Sequence, residues 1–171
     1  GKLADLLRGG VHSDTQSAVI VVDVVGERSI PSVSQLTDAQ IDEIFEQPMQ
    51  SVIGALQEAH SMSCERIVVV VPTTGMSGGA CYAPQAALAE SARILVKSAA
   101  RQWGANGITV NAVAVEPYWF AIDSSISGPV AIAPRSLNGD VSPVGVVNWL
   151  CSAASGDVTG QTIVCDGGLW M

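Results

Sequence analysis

The sequence has few charged side chains and no long apolar run, and each shortage excludes a class of protein. Asp, Glu, Lys and Arg make up 14% of the 171 residues, and the formal net charge is −8. No run of Lys or Arg offsets this charge, so a nucleic-acid backbone would be repelled. The longest apolar runs are of strand length, well short of the ~18 residues that read as a membrane helix. We therefore expect neither a nucleic-acid partner nor a membrane span.

Histidine and cysteine are also scarce, which argues against a metal centre. The sequence has two histidines and four cysteines, and none of the cysteines forms a Cys-x-x-Cys motif. We interpret the cysteines as buried or half-buried thiols of a cytoplasmic protein: Cys64, Cys81, Cys151 and Cys165. Neither a signal peptide nor a lipidation motif is visible. Because the first residue is Gly1 rather than Met, whether a segment precedes it stays open.

Apolar, strand-like runs alternate with helical patterns along the chain. Residues 18–25 and 66–71 are apolar and rich in β-branched side chains, as strands buried on both faces are. Residues 108–114 and 161–165 are predicted as two further strands. This alternation predicts a single α/β domain over residues 1–171, a doubly wound parallel sheet with helices on both faces.

The helices between these strands have recognisable starts. Thr37 and the glutamine three residues later form a capping box, and Pro48 is expected to kink or break the helix that follows. A long helix is predicted over residues 84–103 and another over residues 143–151. The glycine-rich segment 72–79 is predicted as a loop, with Gly75, Gly78 and Gly79 as loop-filling residues.

Three segments, in order, resemble the short-chain dehydrogenase/reductase family. Residues 104–112 (GANGITVNA) are similar to the family's Gly-Ile-x-Val-Asn-Ala strand. Residues 142–160 resemble its Ser-Pro helix and Thr-Gly turn, and residues 161–168 (QTIVCDGG) its closing strand and Asp-Gly-Gly. The resemblance extends over nearly all of the chain, most loosely before Ala39. It implies a Rossmann-like sheet.

The family's active site uses Asn, Ser, Tyr and Lys, with tyrosine as the acid/base. The lysine lowers the pKa of the phenol, which would otherwise ionise near pH ~10. The resemblance places these four roles, in that order, at Pro48, Pro72, Cys81 and Gln85. None of these side chains can perform the role expected there, so the resemblance implies a degenerate member without the family's catalytic residues.

Three neighbouring residues could take over the roles of the family's missing tyrosine and serine. Tyr82 lies one position late, roughly 100° around a helix from the expected face. Thr73 or Thr74 could replace the serine if the loop is shifted. If the alignment is shifted by one residue, the family's lysine position falls on an alanine. The cation that lowers the pKa of the tyrosine is then still missing.

The nucleotide-binding part of the family also has no counterpart. Dinucleotide binding requires a glycine-rich turn at the start of a helix, and no TGxxxGxG or GxGxxG occurs. The sequence begins just before the family's fourth strand, and residues 23–26 (DVVG) replace its Asn-Asn-Ala-Gly. No cofactor is therefore predicted.

The other candidate site residues have structural explanations as well as functional ones. Cys81 could be a nucleophile at a helix N-terminus, but a buried structural cysteine is the preferred interpretation. Glu116 and Asp123 could pair in a cleft, although a solvated loop explains them as well. Residues 118–120 (Tyr-Trp-Phe) could line a remnant pocket for an apolar acyl group, or belong to an interface.

The leading hypothesis is a non-catalytic subunit that assembles with a catalytically complete paralogue, or with itself. By analogy within the family, the interface would use the segments from Pro84 to Trp103, from Pro143 to Cys151 and from Gln161 to Met171. Trp103, Trp149 and Trp170 fall in these segments and would be natural anchors. A heteromeric hydroxyacyl-CoA dehydrogenase, such as those of anaerobic aromatic β-oxidation, is one setting. The alternatives are a repurposed homo-oligomeric binding domain, or a non-redox enzyme, for a small apolar or acyl-CoA ligand, and a dehydrogenase whose N-terminal half lies outside this sequence.

The double substitution Cys81→Tyr and Gln85→Lys tests the missing nucleotide part. We expect no turnover, because a restored acid/base pair has no cofactor to act on. Absorbance of reduced nicotinamide cofactor, followed with ketone and hydroxyacyl substrates, would measure it. Measurable turnover would refute the prediction.

Overall fold

The computed structural model describes residues 1–24, 32–123 and 141–169. Its four strands form one wholly parallel sheet in which spatial order follows chain order. The strands are β1 (Ser17–Val21), β2 (Arg66–Pro72), β3 (Thr109–Val115) and β4 (Thr162–Cys165). The predicted alternation of strands and helices and the predicted parallel sheet are confirmed.

Six α-helices lie in the described part of the chain, and they cover both faces of the sheet. They are α1 (Lys2–Gly10), α2 (Asp38–Ile41), α3 (Gln47–Ser61), α4 (Thr74–Ser77), α5 (Ala83–Trp103) and α6 (Val144–Leu150). Helix α3 contacts α5, and α1 contacts α6. Every residue of β3 is buried, although its side chains point alternately to the two faces. Both faces are therefore covered, as the doubly wound fold requires.

The central strands and the edge strands differ in burial. Strands β2 and β3 are buried almost throughout, whereas all residues of β1 and β4 are half-buried. The difference arises because β1 and β4 each have a neighbouring strand on one side only, among the described residues. The core is therefore centred on the valine-rich β2.

Of the two expected effects of Pro48, a kink or a break, the break does not occur. The chain remains helical from Asp38 to Ser61, and a π-helical turn over Asp42–Glu46 precedes the proline. A proline lacks the N–H that an α-helix uses and clashes with the carbonyl four residues earlier. The wider π turn changes that hydrogen-bond pattern just before Pro48, so the helix continues.

Two of the segments that carry the family resemblance are hydrogen-bonded to each other. Asn111, on β3, donates from Nδ2 to the carbonyl of Val158 at 2.8 Å and accepts from the N–H of Gln161 at 3.0 Å. The N–H of Gly160 donates to the carbonyl of Val110 at 2.8 Å. The asparagine of one segment therefore fixes the Thr-Gly turn of the other and sets the start of β4.

Gly75 is a packing residue rather than a loop filler, and part of the predicted loop is helix α4. A Cβ at Gly75 would lie 2.9 Å from the Cβ of Ala89 and 3.0 Å from the backbone nitrogen of Glu90. The contact lets α4 rest directly on α5. Gly78 has a φ of +71°, so it does serve the turn that follows.

Gly75→Ala should destabilise the fold because the new methyl group has no space against α5. We expect the free energy of unfolding to fall by about 1–3 kcal/mol. Gly54→Ala is the matched control, since Gly54 lies within α3 with nothing within 4 Å of a built Cβ. That change should raise stability by up to about 1 kcal/mol. Urea unfolding followed by circular dichroism measures both, and an unchanged Gly75→Ala midpoint would contradict the contact.

Candidate functional site

The carboxyl ends of the parallel strands form the natural place for a site in this fold. Asp23 lies two residues beyond β1, Thr73 directly follows β2, Glu116 directly follows β3 and Asp166 directly follows β4. Asp23 is exposed, whereas the other three side chains are buried. The N–H of Thr73 donates to the carbonyl of Val115 at 2.9 Å, which joins the ends of β2 and β3. This edge is therefore polar in composition but largely closed to solvent.

The structure places the four positions assigned by the resemblance in different surroundings. Pro48 is buried in the first turn of α3, and Pro72 is the buried last residue of β2. Gln85 is fully buried in the first turn of α5. The contact at Gly75 holds the segment after Pro72 against the start of α5. The elements that carry Pro72 and Gln85 therefore do come together.

Cys81 is exposed, so its interpretation as a buried structural cysteine is wrong. It precedes α5 by two residues and has a φ of +62°, in the left-handed region that non-glycine residues rarely adopt. That backbone turns the thiol away from the core, whereas the next residue, Tyr82, is turned inward and is only 9% exposed.

The other three cysteines are shielded to differing degrees. Burial raises the pKa of the Cys64 thiol. Burial also raises the pKa of Cys151, although a hydrogen bond with Ser17 partly opposes that shift. For Cys165, burial and the negative charge of Asp166 both raise the pKa. These three thiols are therefore poor nucleophiles near neutral pH.

The three residues that could replace the family's tyrosine and serine, Tyr82, Thr73 and Thr74, are all closed to a substrate. Tyr82 precedes the helix rather than lying one position around it, and its side chain is buried. Thr73 and Thr74 are buried as well, and their Oγ1 atoms have no hydrogen-bond partner within the part of the chain that the structure describes.

Lysine is scarce in this sequence. The sequence contains only Lys2 and Lys97. Lys97 is exposed on α5, twelve residues beyond Gln85, which is about 18 Å along a helix. It lies too far away to influence a phenol at the start of α5.

A cleft of about 960 Å³ lies beside the carboxyl end of β1. Its walls are the start of α1, residues 21–24 and residues 118–123, and they include all three aromatic side chains of the Tyr-Trp-Phe segment. The Lys2 Nζ donates to the Tyr118 hydroxyl at 2.8 Å and lies 4.8 Å from the centre of that ring. The cleft therefore combines an apolar and aromatic wall with the lysine Lys2 and the carboxylates of Asp23 and Asp123.

Glu116 and Asp123 are not a pair of solvated loop carboxylates. Glu116 is fully buried directly after β3, whereas Asp123 is exposed and lines the cleft. Glu116 lies between β3, whose seven residues are all buried, and the short 3₁₀ helix Pro117–Phe120. Nothing in the sequence indicated this burial, because Glu116 begins a stretch without regular periodicity.

The described residues around the end of β1 do not fit a dinucleotide. A pyrophosphate needs free N–H groups at a helix start that directly follows the strand. Here Asp23 adds a negative charge after β1, and the next described α-helix starts only at Asp38. The Thr37 hydroxyl already accepts from the N–H of Gln40 at 3.3 Å. The described residues at this end of β1 therefore offer no site for a pyrophosphate.

Within residues 1–24, 32–123 and 141–169, no three His, Cys, Asp or Glu side chains are grouped in a way that could hold a metal ion. Over the same described residues, no helix has both the length and the apolar character needed to cross a membrane.

Comparison with known proteins identifies the family. A family model described as enoyl-(acyl carrier protein) reductase matches residues 11–170. The match covers nearly the whole chain, and the chain therefore belongs to the short-chain dehydrogenase/reductase family, as its three segments predicted. A search of curated proteins finds no significant match.

Two solved structures illustrate the shared fold. The crystal structure of levodione reductase superposes with a TM-score of 0.67 at 16% identity, covering 90% of this chain and 66% of its own. A 4-hydroxyisoleucine dehydrogenase complexed with NADH and succinate gives 0.64 at 20% identity, covering 88% and 68%. At these identities the likeness concerns the fold alone. The chain spans about two-thirds of the length of each.

The thiols should react at two different rates with an aromatic disulfide reagent at pH 8. We expect Cys81 to react about tenfold or more faster than the others, because it is exposed and they are shielded with raised pKa values. Cys81→Ser should remove the fast phase, whereas Cys165→Ser should leave it intact. A fast phase that survives Cys81→Ser in the folded protein would contradict the placement.

Proposed function

We propose that this chain is a non-catalytic subunit that assembles with a catalytically complete paralogue in a cytoplasmic oxidoreductase. A heteromeric hydroxyacyl-CoA dehydrogenase, such as those of anaerobic aromatic β-oxidation, is the setting we propose by analogy. In such a complex the paralogue would supply the nicotinamide cofactor and the acid/base residues.

The burial of Gln85 is the observation that carries this proposal. Its neutral amide is fully enclosed in the first turn of α5. An uncharged amide stabilises a phenolate much less than an ammonium group does, so a tyrosine at position 81 would ionise less readily than in the family and act poorly as a base at neutral pH. Restoring the pair would also put an ammonium group at a fully buried position, which is costly unless the charge is paired there.

Exposed apolar side chains on two of the three proposed interface segments support assembly. Ile94, on α5, is 52% exposed and Trp149, on α6, is 41% exposed. Large apolar side chains of this kind are common anchors in protein interfaces. Trp103 is less available, because it is half-buried with its ring 4.6 Å from that of His60. Trp170 and Met171 lie outside the described residues.

Contacts between α5 and β4 would keep two of these segments in a fixed relation. Arg93 donates from Nε to the Thr162 hydroxyl at 3.2 Å and forms an ion pair with Glu90. Arg93 is mostly buried, so these contacts are protected from solvent. A partner would therefore meet a rigid surface and lose little conformational entropy on binding.

A second candidate function rests on the cleft beside β1. Its aromatic wall suits the apolar part of a small ligand, such as the acyl group of an acyl-CoA. In that case the chain would be a binding domain or a non-redox enzyme that functions with copies of itself.

Charge substitutions at the exposed anchors test the subunit proposal. Ile94→Glu and Trp149→Glu should each dissociate the complex purified from its native source, because an ionised group would be buried at the interface. We expect at least about a tenfold loss of affinity, measured by native mass spectrometry with dilution. Met62→Glu is the matched control, because Met62 is 56% exposed but lies outside the three segments.

Two outcomes would overturn the subunit proposal. One is a stable monomer that binds no paralogue at micromolar concentration while calorimetry detects an acyl-CoA in the cleft, which would favour the second function. The other is NAD(P)-dependent turnover by the purified chain alone, which would show that the family chemistry survives.

A further inference from the structure

Helices α3 and α5 lie side by side and run in the same direction. Near their starts, Phe45 and Pro84 line the same small apolar pocket. Near their ends, the rings of His60 and Trp103 lie 4.6 Å apart. Residues at equal distances from these two contacts therefore lie at the same height on the outer surface of the helix pair.

Each of the two helices exposes an isoleucine near the middle of this outer surface. Ile53, on α3, is 39% exposed, and Ile94, on α5, is 52% exposed. Ile53 precedes His60 by seven residues and Ile94 precedes Trp103 by nine, so the two isoleucines differ in height by only about 3 Å. The helix pair therefore has one exposed apolar centre.

Opposite charges lie on the two sides of this apolar centre. Glu46, seven residues before Ile53, and Arg101, seven residues after Ile94, are both exposed. Seven residues are about two helical turns, or about 10 Å, so each charge lies on the same side of its helix as the isoleucine. Neither charged side chain forms an ion pair or hydrogen bond within the described part of the chain.

The other charges on the two helices follow the same separation. No Lys or Arg occurs from Asp38 to Ser61, and four acidic residues lie near the start of that segment: Asp38, Asp42, Glu43 and Glu46. The second half of α5 carries Lys97 and Arg101 without an acidic residue. The outer surface is therefore acidic where the two helices begin and basic where α5 ends.

We propose that this surface binds a second copy of the chain, in a two-fold dimer centred on Ile53 and Ile94 and oriented by Glu46 and Arg101. A two-fold axis that crosses the helices reverses one helix pair relative to the other. Glu46 of one copy then lies at the height of Arg101 of the other copy. This inference rests on the proposed function for the use of α5 as an interface; it adds α3 and names the occupant.

The charge pattern, rather than the exposure of the helices, identifies the occupant. A surface with one acidic and one basic end is complementary to itself when one copy is reversed, as two-fold symmetry requires. A partner whose charges all have one sign would be repelled at one of the two ends. Trp149 lies on α6, outside this surface, and remains available to the paralogue.

Two charge reversals test the pairing in the purified full chain. Glu46→Arg and Arg101→Glu should each raise the dissociation constant of the dimer at least about tenfold, because like charges then meet at two symmetry-related contacts. Sedimentation velocity at low ionic strength measures this constant. The unmodified dimer should weaken as the salt concentration rises.

An equimolar mixture of the two variants tests which residues meet. Each reversed charge finds its opposite on the other variant, so a mixed dimer should form with an affinity within about threefold of that of the unmodified chain. Native mass spectrometry identifies the mixed dimer by its mass. Arg101→Glu also places a negative charge in the last turn of α5, which weakens that helix, but such an effect would persist in the mixture.

Glu58→Arg is the matched control for the charge reversals. Glu58 is exposed on α3, but it lies five residues after Ile53 and therefore roughly 140° around the helix from it. Its reversal should leave the dissociation constant of the dimer unchanged. Circular dichroism checks that each variant is folded, and Arg101→Gln, which removes the charge without reversing it, replaces Arg101→Glu if that variant unfolds.

Four outcomes would overturn the proposed dimer. They are a purified chain that stays monomeric at high micromolar concentration, a mixture that forms no mixed dimer, a Glu58→Arg variant as weak as Glu46→Arg, and an Ile53→Glu variant that dimerises normally. Trp149→Glu should leave this dimer intact, because its side chain lies on α6. Loss of self-pairing and loss of the paralogue are therefore separate results, so either proposal can fail alone.

Discussion

Burial of β2 and β3 on both faces is the constraint on which the rest of the structure depends. The four valines Val68–Val71 are fully buried, and each contributes about 1.5–3 kcal/mol relative to an exposed position. A strand buried on both faces requires helices above and below it, which α3 with α5 and α1 with α6 provide. A buried polar side chain in such a strand is favoured when it is hydrogen-bonded, as Asn111 is.

The same burial encloses several side chains at the carboxyl end of the sheet. Thr73, Gln85 and Glu116 lie there without access to solvent. What stays open at this end is the exposed Cys81 before α5 and the cleft beside β1 in which Lys2 meets Tyr118. The chain belongs to a family of oxidoreductases, but the side chains at its family site positions are Pro72, Cys81 and Gln85 rather than serine, tyrosine and lysine.

The β4 edge of the sheet is joined to the helix that packs beside it. Arg93, on α5, donates from Nε to the Thr162 hydroxyl of β4. Helices α5 and α6 expose Ile94 and Trp149. A side-chain interface on these segments is what the proposed subunit function requires.

The sequence by itself determined the α/β class, the four strands, the long helix and the family, because these follow from local periodicity and from short segments in fixed order. Only the tertiary structure decided that Cys81 is exposed, that Glu116 is buried, that Gly75 rests on α5 and that a π turn absorbs Pro48. Each of these depends on contacts between segments that are distant in sequence or on backbone geometry that no residue type specifies. Local patterns show which residues prefer the core, whereas the packing of elements decides which polar residues are enclosed with them.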